Sequence, residues 1–188
     1  MIYAIVVCEV GFWAVLLAGL VLRYLGGRRR AGGVVLACVP LVDVALLVFT
    51  VLHLRSGAEI EPTDGLAAVY LGVSVGFGKS MLAWADARFA HRFAGGPAPV
   101  KPPKTGPAHA RRERRMWYRH LLAFAVGAVL LLAGTKLVGG QPGSLLTWFT
   151  AGQTAPLLSW IPRWAVVLAI DFLWSFSYTF WPRRPGIS

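Results

Sequence analysis

Long apolar runs separated by short polar breaks make up this chain. Five runs are long enough to cross a bilayer as helices: residues 2–22, 33–54, 66–84, 121–138 and 164–181. A helix spanning the hydrocarbon core needs about 20 mostly apolar residues, and its backbone polar groups must pair within the helix itself. Charges gather in the breaks. Arg23 and the triplet Arg28, Arg29 and Arg30 follow the first run, and Pro182, Arg183 and Arg184 stop the fifth. The pattern predicts an all-α, polytopic transmembrane helix bundle of five spans, forming one integral membrane domain over residues 1–188 with a basic loop at 85–118. Pro40 has no backbone N–H to donate, so a kink is expected in the second span. An odd span count argues against a simple inverted repeat.

Lys and Arg placement orients the bundle, because basic residues collect in cytoplasmic loops. Fifteen of the 19 basic residues fall in the first loop, the stretch from Arg88 to Arg119 and the C-terminal tail. Arg55, Lys136 and Arg163 fall on the other side, and Lys79 lies inside a span. The expected topology is N-out and C-in. No basic residue precedes the first run, so it reads as an N-out anchor and not as a signal peptide.

Composition strengthens the membrane reading. Hydrophobic residues make up 56% of the chain and charged residues 14%, against roughly 45–50% and about 25% in soluble domains. The net charge of +11 would suggest nucleic acid in a soluble protein. Here it sits in membrane loops, and nucleic acid is not an expected partner. Cys8 and Cys38 fall near opposite ends of adjacent spans, too far apart for a disulfide, and are expected to be free thiols.

The 85–118 segment opens with WADARFAHRFAGG, passes through the proline-rich PAPVKPPKTGP and closes with ARRERRMWYRH. Arg88, Arg92, Arg111, Arg112, Arg114 and Arg115 are expected to lie against anionic headgroups at the cytoplasmic face of the bilayer. Docking of an acidic partner is the alternative. On the other side, residues 139–162 contain LLTWF and PLLSW and are expected to dip into the outer interface, with Trp148 and Trp160 at headgroup level.

GFGKS at residues 76–80 has part of a phosphate-binding loop, but Val73 stands where the first glycine belongs, and the string lies within a span. Gly72, Gly76 and Ser80 instead form a small-xxx-small row suited to close helix packing. This row is the candidate contact for a homodimer. His53 and His120 are expected nearly a membrane thickness apart, and no metal site follows. No nucleophile–base pair is recognisable, so no catalytic residue or cofactor is assigned, and an intramembrane enzyme ranks last.

Acidic residues inside spans carry the functional reading: Glu9, Asp43 and Asp171. Intramembrane charges are costly, and they usually face a bundle interior. At about 1.5 Å per residue, Glu9 lies about 10 Å and Asp171 about 12 Å below the outer surface, with Asp43 about 15 Å and Lys79 about 8–12 Å from the inner one. Asp43 is thus expected to pair with Lys79. Glu9 and Asp171 are expected to share a proton or bind a cation together. Asp171, Ser175 and Tyr178 follow one face of the fifth helix. Asp43, Thr50 and His53 follow another on the second, and Tyr70, Ser74, Phe77 and Met81 mark a mixed face on the third. The candidate ion or proton path is therefore Glu9, Asp43, Lys79, Asp171, Ser175 and Tyr178. Carboxyls that merely hydrogen-bond helices together are the competing reading.

The strings GLAAVYLGVSVGFG, WADARFAHRFAGGPAPVK and IDFLWSFSYTFWP carry a likeness over most of the chain. The sequence resembles the YmcC-like family of small bacterial integral membrane proteins. That resemblance implies a multi-pass protein of the bacterial cytoplasmic (inner) membrane and carries over no site residues. The expected function is a small transporter or channel. The alternative is a non-enzymatic membrane scaffold or accessory subunit acting through the basic loop.

Overall fold

The computed structural model describes residues 2–100, 102–103, 105–141, 143–144, 147–148 and 156–180. Its helices are α1 (Ile2–Tyr24), α2 (Arg29–Ala37), α3 (Val39–Arg55), α4 (Leu66–Phe93), α5 (Gly106–Leu137) and α6 (Trp160–Phe180), with a 3-10 turn at Pro62–Gly65 before α4. No strand occurs among the described residues. Trp181, Arg183, Arg184, Lys101 and Lys104 lie outside them.

Among the described residues, four stretches are long and apolar enough to cross a membrane: Val6–Tyr24, Arg30–Arg55, Thr63–Phe93 and Gly106–Leu137. The second includes both α2 and α3. The disturbance expected at Pro40 is a full interruption at Cys38, whose N–H reaches the carbonyls of Val34 and Val35 while its own carbonyl accepts from Leu41. Pro40 has no N–H for the carbonyl of Leu36, so the helical ladder restarts there. With 21 residues, α6 is long enough to span, but Arg163, Asp171 and several hydroxyl residues make it less apolar than the other four.

Helix ends differ from the limits that charge suggested. In the 85–118 segment, α4 continues to Phe93 and α5 begins at Gly106, so much of that segment is helical. Charge marks where a helix leaves lipid, not where it stops. Ala, Arg, Glu and Met are good helix formers, so ARRERRMWYRH extends the span as one 32-residue helix.

The bundle is held by close approaches at glycine. A β-carbon on Gly72 would strike the carbonyl of Ala123 on α5, and one on Gly76 would lie 2.7 Å from the carbonyl of Arg119. Gly127 on α5 leaves room for the Trp164 ring of α6, which also reaches Gly72. The small-residue row is therefore filled by α5 and α6. It packs helices as expected, but within one chain, and Gly72 and Gly76 are not free for a second copy. A similar approach closes the α1–α2 hairpin, where Gly19 faces Leu36 and Gly32 faces Arg23.

Two apolar clusters mark the ends. One joins Leu16, Leu20, Leu36 and Val39. The other joins Leu54, Ala68, Leu131, Leu157, Leu158 and Ile161. The residues just before α6 turn into the bundle: Leu157 and Leu158 are buried, and Trp148 and Trp160 pack, half-buried, against that cluster. At the first end Arg23 pairs with Asp86 at 3.4 Å and Tyr24 packs on Phe89. Outward faces carry Val7, Val10, Leu17, Val129, Val167, Ile170 and Leu173, all exposed, as suits a surface solvated by acyl chains.

The glycine contact predicts an asymmetry between substitutions. Gly72→Ala should destabilise the detergent-solubilised protein by about 1–3 kcal/mol, the cost of overpacking a tight contact. Gly78→Ala adds a β-carbon in open space and should be neutral or slightly stabilising. Equal thermal unfolding curves for the two variants would contradict the α4–α5 packing.

Candidate functional site

A partly open cavity of about 890 Å³ lies between α1, α3, α4 and α5. Asp43 on α3 lines its wall and is buried at 8% exposure. The hydroxyl of Ser74 on α4 donates to Asp43 Oδ2. Glu9 on α1 lines the same cavity. So do Tyr70, Ser74, Phe77 and Met81, the mixed face read from the sequence of α4. Thr50 does not continue the Asp43 face as a cavity group, because its hydroxyl donates to the carbonyl of Leu46 at 2.8 Å. His53 stacks on Phe49.

Arginines enter the cavity from α5. Arg112, Arg115 and Arg119 line it together with Met116, and their spacing of three and four residues puts all four on one helical face. The sequence reading placed Arg112 and Arg115 in a loop and did not single out Arg119. Of the other loop arginines, Arg114 donates to Thr179 Oγ1 on α6 at 2.9 Å. Arg88 lies over the Trp84 ring at 4.3 Å. Arg92 and Arg111 are exposed.

Asp171 belongs to a different cluster. His120 Nδ1 lies 2.7 Å from Asp171 Oδ2, linking α5 to α6. Ser175 is buried and donates to Asp171 Oδ1 over 3.5 Å. The His120 ring packs on Phe77. One turn further along α6, Tyr178 meets His109 edge to face. The Asp171, Ser175 and Tyr178 stripe is real, and it faces α5.

Both expected pairings are replaced. Lys79 is exposed and makes no ion pair among the described residues, while Asp43 takes its hydrogen bond from Ser74. Lys79 is one residue beyond the cavity-lining Gly78, and α-helical geometry turns it to another face. Glu9 lines the α1/α3/α4/α5 cavity, which includes no α6 residue, and Asp171 is engaged by His120 instead. With the fourth span expected to start at residue 121, His120 falls just outside it. Extending α5 back to Gly106 places it mid-helix, on a stripe with His109, Trp117 and Phe124. That spacing was the available signal. Among the described residues, no three His, Cys, Asp or Glu side chains converge on a metal site, and Cys8 and Cys38 are free.

Comparison with known proteins finds a relative along nearly the whole chain. The sequence is 36% identical over 187 residues to the uncharacterized membrane protein YmcC of Bacillus subtilis (strain 168), covering 99% of this chain and 95% of that one. No protein-family model and no solved structure matches.

The α5–α6 cluster is open to a double-mutant cycle. His120→Gln and Asp171→Asn should couple by about 0.5–2 kcal/mol, the range for hydrogen bonds between membrane helices. Unfolding of the two single variants and the double variant in detergent measures this. Strict additivity would mean that the pair contributes nothing.

Proposed function

The chain belongs to the YmcC family of bacterial membrane proteins, and from that premise we propose that it is a proton-linked transporter of the cytoplasmic membrane whose working site is the α1/α3/α4/α5 cavity. Five spans, with the N-terminus outside and the C-terminus inside, fit this reading. The α1–α2 turn carrying Arg28, the 94–105 connection and the C-terminal end of α6 all open at the end where Arg23 meets Asp86 and Arg114 meets Thr179. Basic residues cluster at that end, which is the mark of a cytoplasmic face.

One observation carries the proposal: a buried carboxyl, Asp43, on the wall of a cavity that also holds Glu9 and three arginines. Carboxyls within spans mark proton relays, and basic groups lining a pore favour anions over cations. The arginines oppose a simple cation channel. A carboxyl that takes and releases a proton, beside arginines that neutralise an anion, suits coupled movement of the two. Asp171 has no place on this path, because His120 and Ser175 occupy it outside the cavity. It holds α5 to α6.

Proton flux into proteoliposomes under an imposed pH gradient tests the reading. Asp43→Asn should lose at least about 90% of the flux, an effect of about 1.4 kcal/mol or more on the rate, with insertion intact. Asp171→Asn should keep it. Absent flux in the wild-type protein, or full flux in Asp43→Asn, would leave the carboxyls structural and make the basic end the functional surface. Topology has its own readout. A phosphatase reporter that is active only outside should be silent when inserted at residues 94–105 and active between residues 56 and 61. The reverse pattern would invert the orientation.

A further inference from the structure

The cavity is chemically graded along the bundle. Arg119 is level with Gly76, since its carbonyl lies 2.7 Å from where a β-carbon on that glycine would stand. Asp43 is bonded to Ser74, two residues away toward the opposite end of α4. From Arg119, the helix carries Arg115 about 6 Å and Arg112 about 10 Å further toward the basic end. Asp43 therefore sits further from the basic end, and the arginines step from its neighbourhood toward that end. Arg112 shares its charge with Glu113 at 3.2 Å. Arg115 and Arg119 make no ion pair among the described residues.

Between and around these groups the walls are apolar. Phe12, Leu16, Leu82, Trp84 and Met116 line the cavity. Its volume of about 890 Å³ falls within the roughly 300–1,000 Å³ typical of small-molecule sites. A soluble anion would satisfy the arginines and leave most of this surface unfilled. An apolar molecule would fill it and leave two guanidinium groups without a counter-charge. An amphiphile with an anionic head satisfies both, since guanidinium binds phosphate oxygens in a bidentate manner and Met116 adapts to an irregular chain.

We propose that the cavity is a binding site for one anionic phospholipid, with its phosphate on Arg112, Arg115 and Arg119 and an acyl chain along α1 and α4. Taken with the transport reading, this lipid is the anion that moves. Binding does not depend on movement, so the two claims separate experimentally.

Native mass spectrometry of the full-length protein in detergent, with phosphatidylglycerol and phosphatidylcholine of identical chains as probes, tests the site. Phosphatidylglycerol should be retained about tenfold more strongly, and Arg115→Gln with Arg119→Gln should remove about that tenfold preference. Met116→Trp, which fills the apolar part without changing charge, should weaken both lipids. Arg92→Ala with Arg111→Ala, outside the cavity, should leave binding unchanged and controls for general attraction to headgroups. Equal retention of the two lipids, or an unchanged preference in the Arg115/Arg119 variant, would overturn the proposal. Inorganic phosphate displacing the lipid at equal concentration would also overturn it and make the site one for a soluble anion. Arg119→Lys keeps the charge and loses the bidentate geometry, so it reports on the site if the double variant fails to fold. Phosphatidylglycerol bound by Asp43→Asn without proton flux upholds the site and the transport reading together. Flux without lipid selectivity upholds the transport reading alone.

Discussion

Backbone contact between α4 and α5 is the constraint on which the other arrangements depend. In lipid, helices gain little from burying apolar side chains against each other, because acyl chains are as apolar as Leu. Association must come from close packing and from polar bonds. Gly72 and Gly76 let α4 approach the carbonyls of Ala123 and Arg119, and Gly127 admits the Trp164 ring. This contact sets the register of a 28-residue helix against a 32-residue one. Register then decides which α5 side chains face which neighbours. Arg112, Arg115 and Arg119 turn toward the cavity, and His120, one residue on, turns toward Phe77 and Asp171.

From this register follow two polar centres with different chemistry. On one side, Asp43 is held by a hydroxyl donor and opens on a cavity that has room for a ligand. On the other, Asp171 is held by a histidine and a buried serine, with Trp117, Phe172 and Phe176 packed edge to face nearby. A carboxyl beside empty space can exchange its partner. A carboxyl clasped between two helices has its partner already, and serves to join them. The same residue type therefore lines a cavity at one position and joins two helices at the other.

The long helices α4 and α5 also connect the membrane interior to the basic end. Because α5 does not break where the charges begin, its arginines lie on a helix whose phase sends them to different faces. Arg114 binds α6, Arg112, Arg115 and Arg119 line the cavity, and Arg111 stays exposed. A stretch that reads as uniformly basic is thus divided by helical phase into packing, cavity and surface roles.

Chain composition and run length determined that this is an all-α protein of the membrane built from long apolar helices, and that Asp43, Glu9 and Asp171 lie within them. These follow from the cost of unpaired backbone groups in hydrocarbon, a requirement each segment meets locally. Helical phase within one segment was legible too, as in the Tyr70, Ser74, Phe77 and Met81 face and the Asp171, Ser175 and Tyr178 stripe. Pairings between segments were not. Depth estimates from span ends set Glu9 level with Asp171 and Asp43 near Lys79, yet none of these pairs forms. Axial depth is one coordinate, and contact also requires rotation about each helix and a choice of neighbour. Close glycine packing decided the neighbour, and the unbroken α5 decided the rotation. Only the tertiary structure could bring His120 to Asp171, Ser74 to Asp43 and three arginines into one cavity.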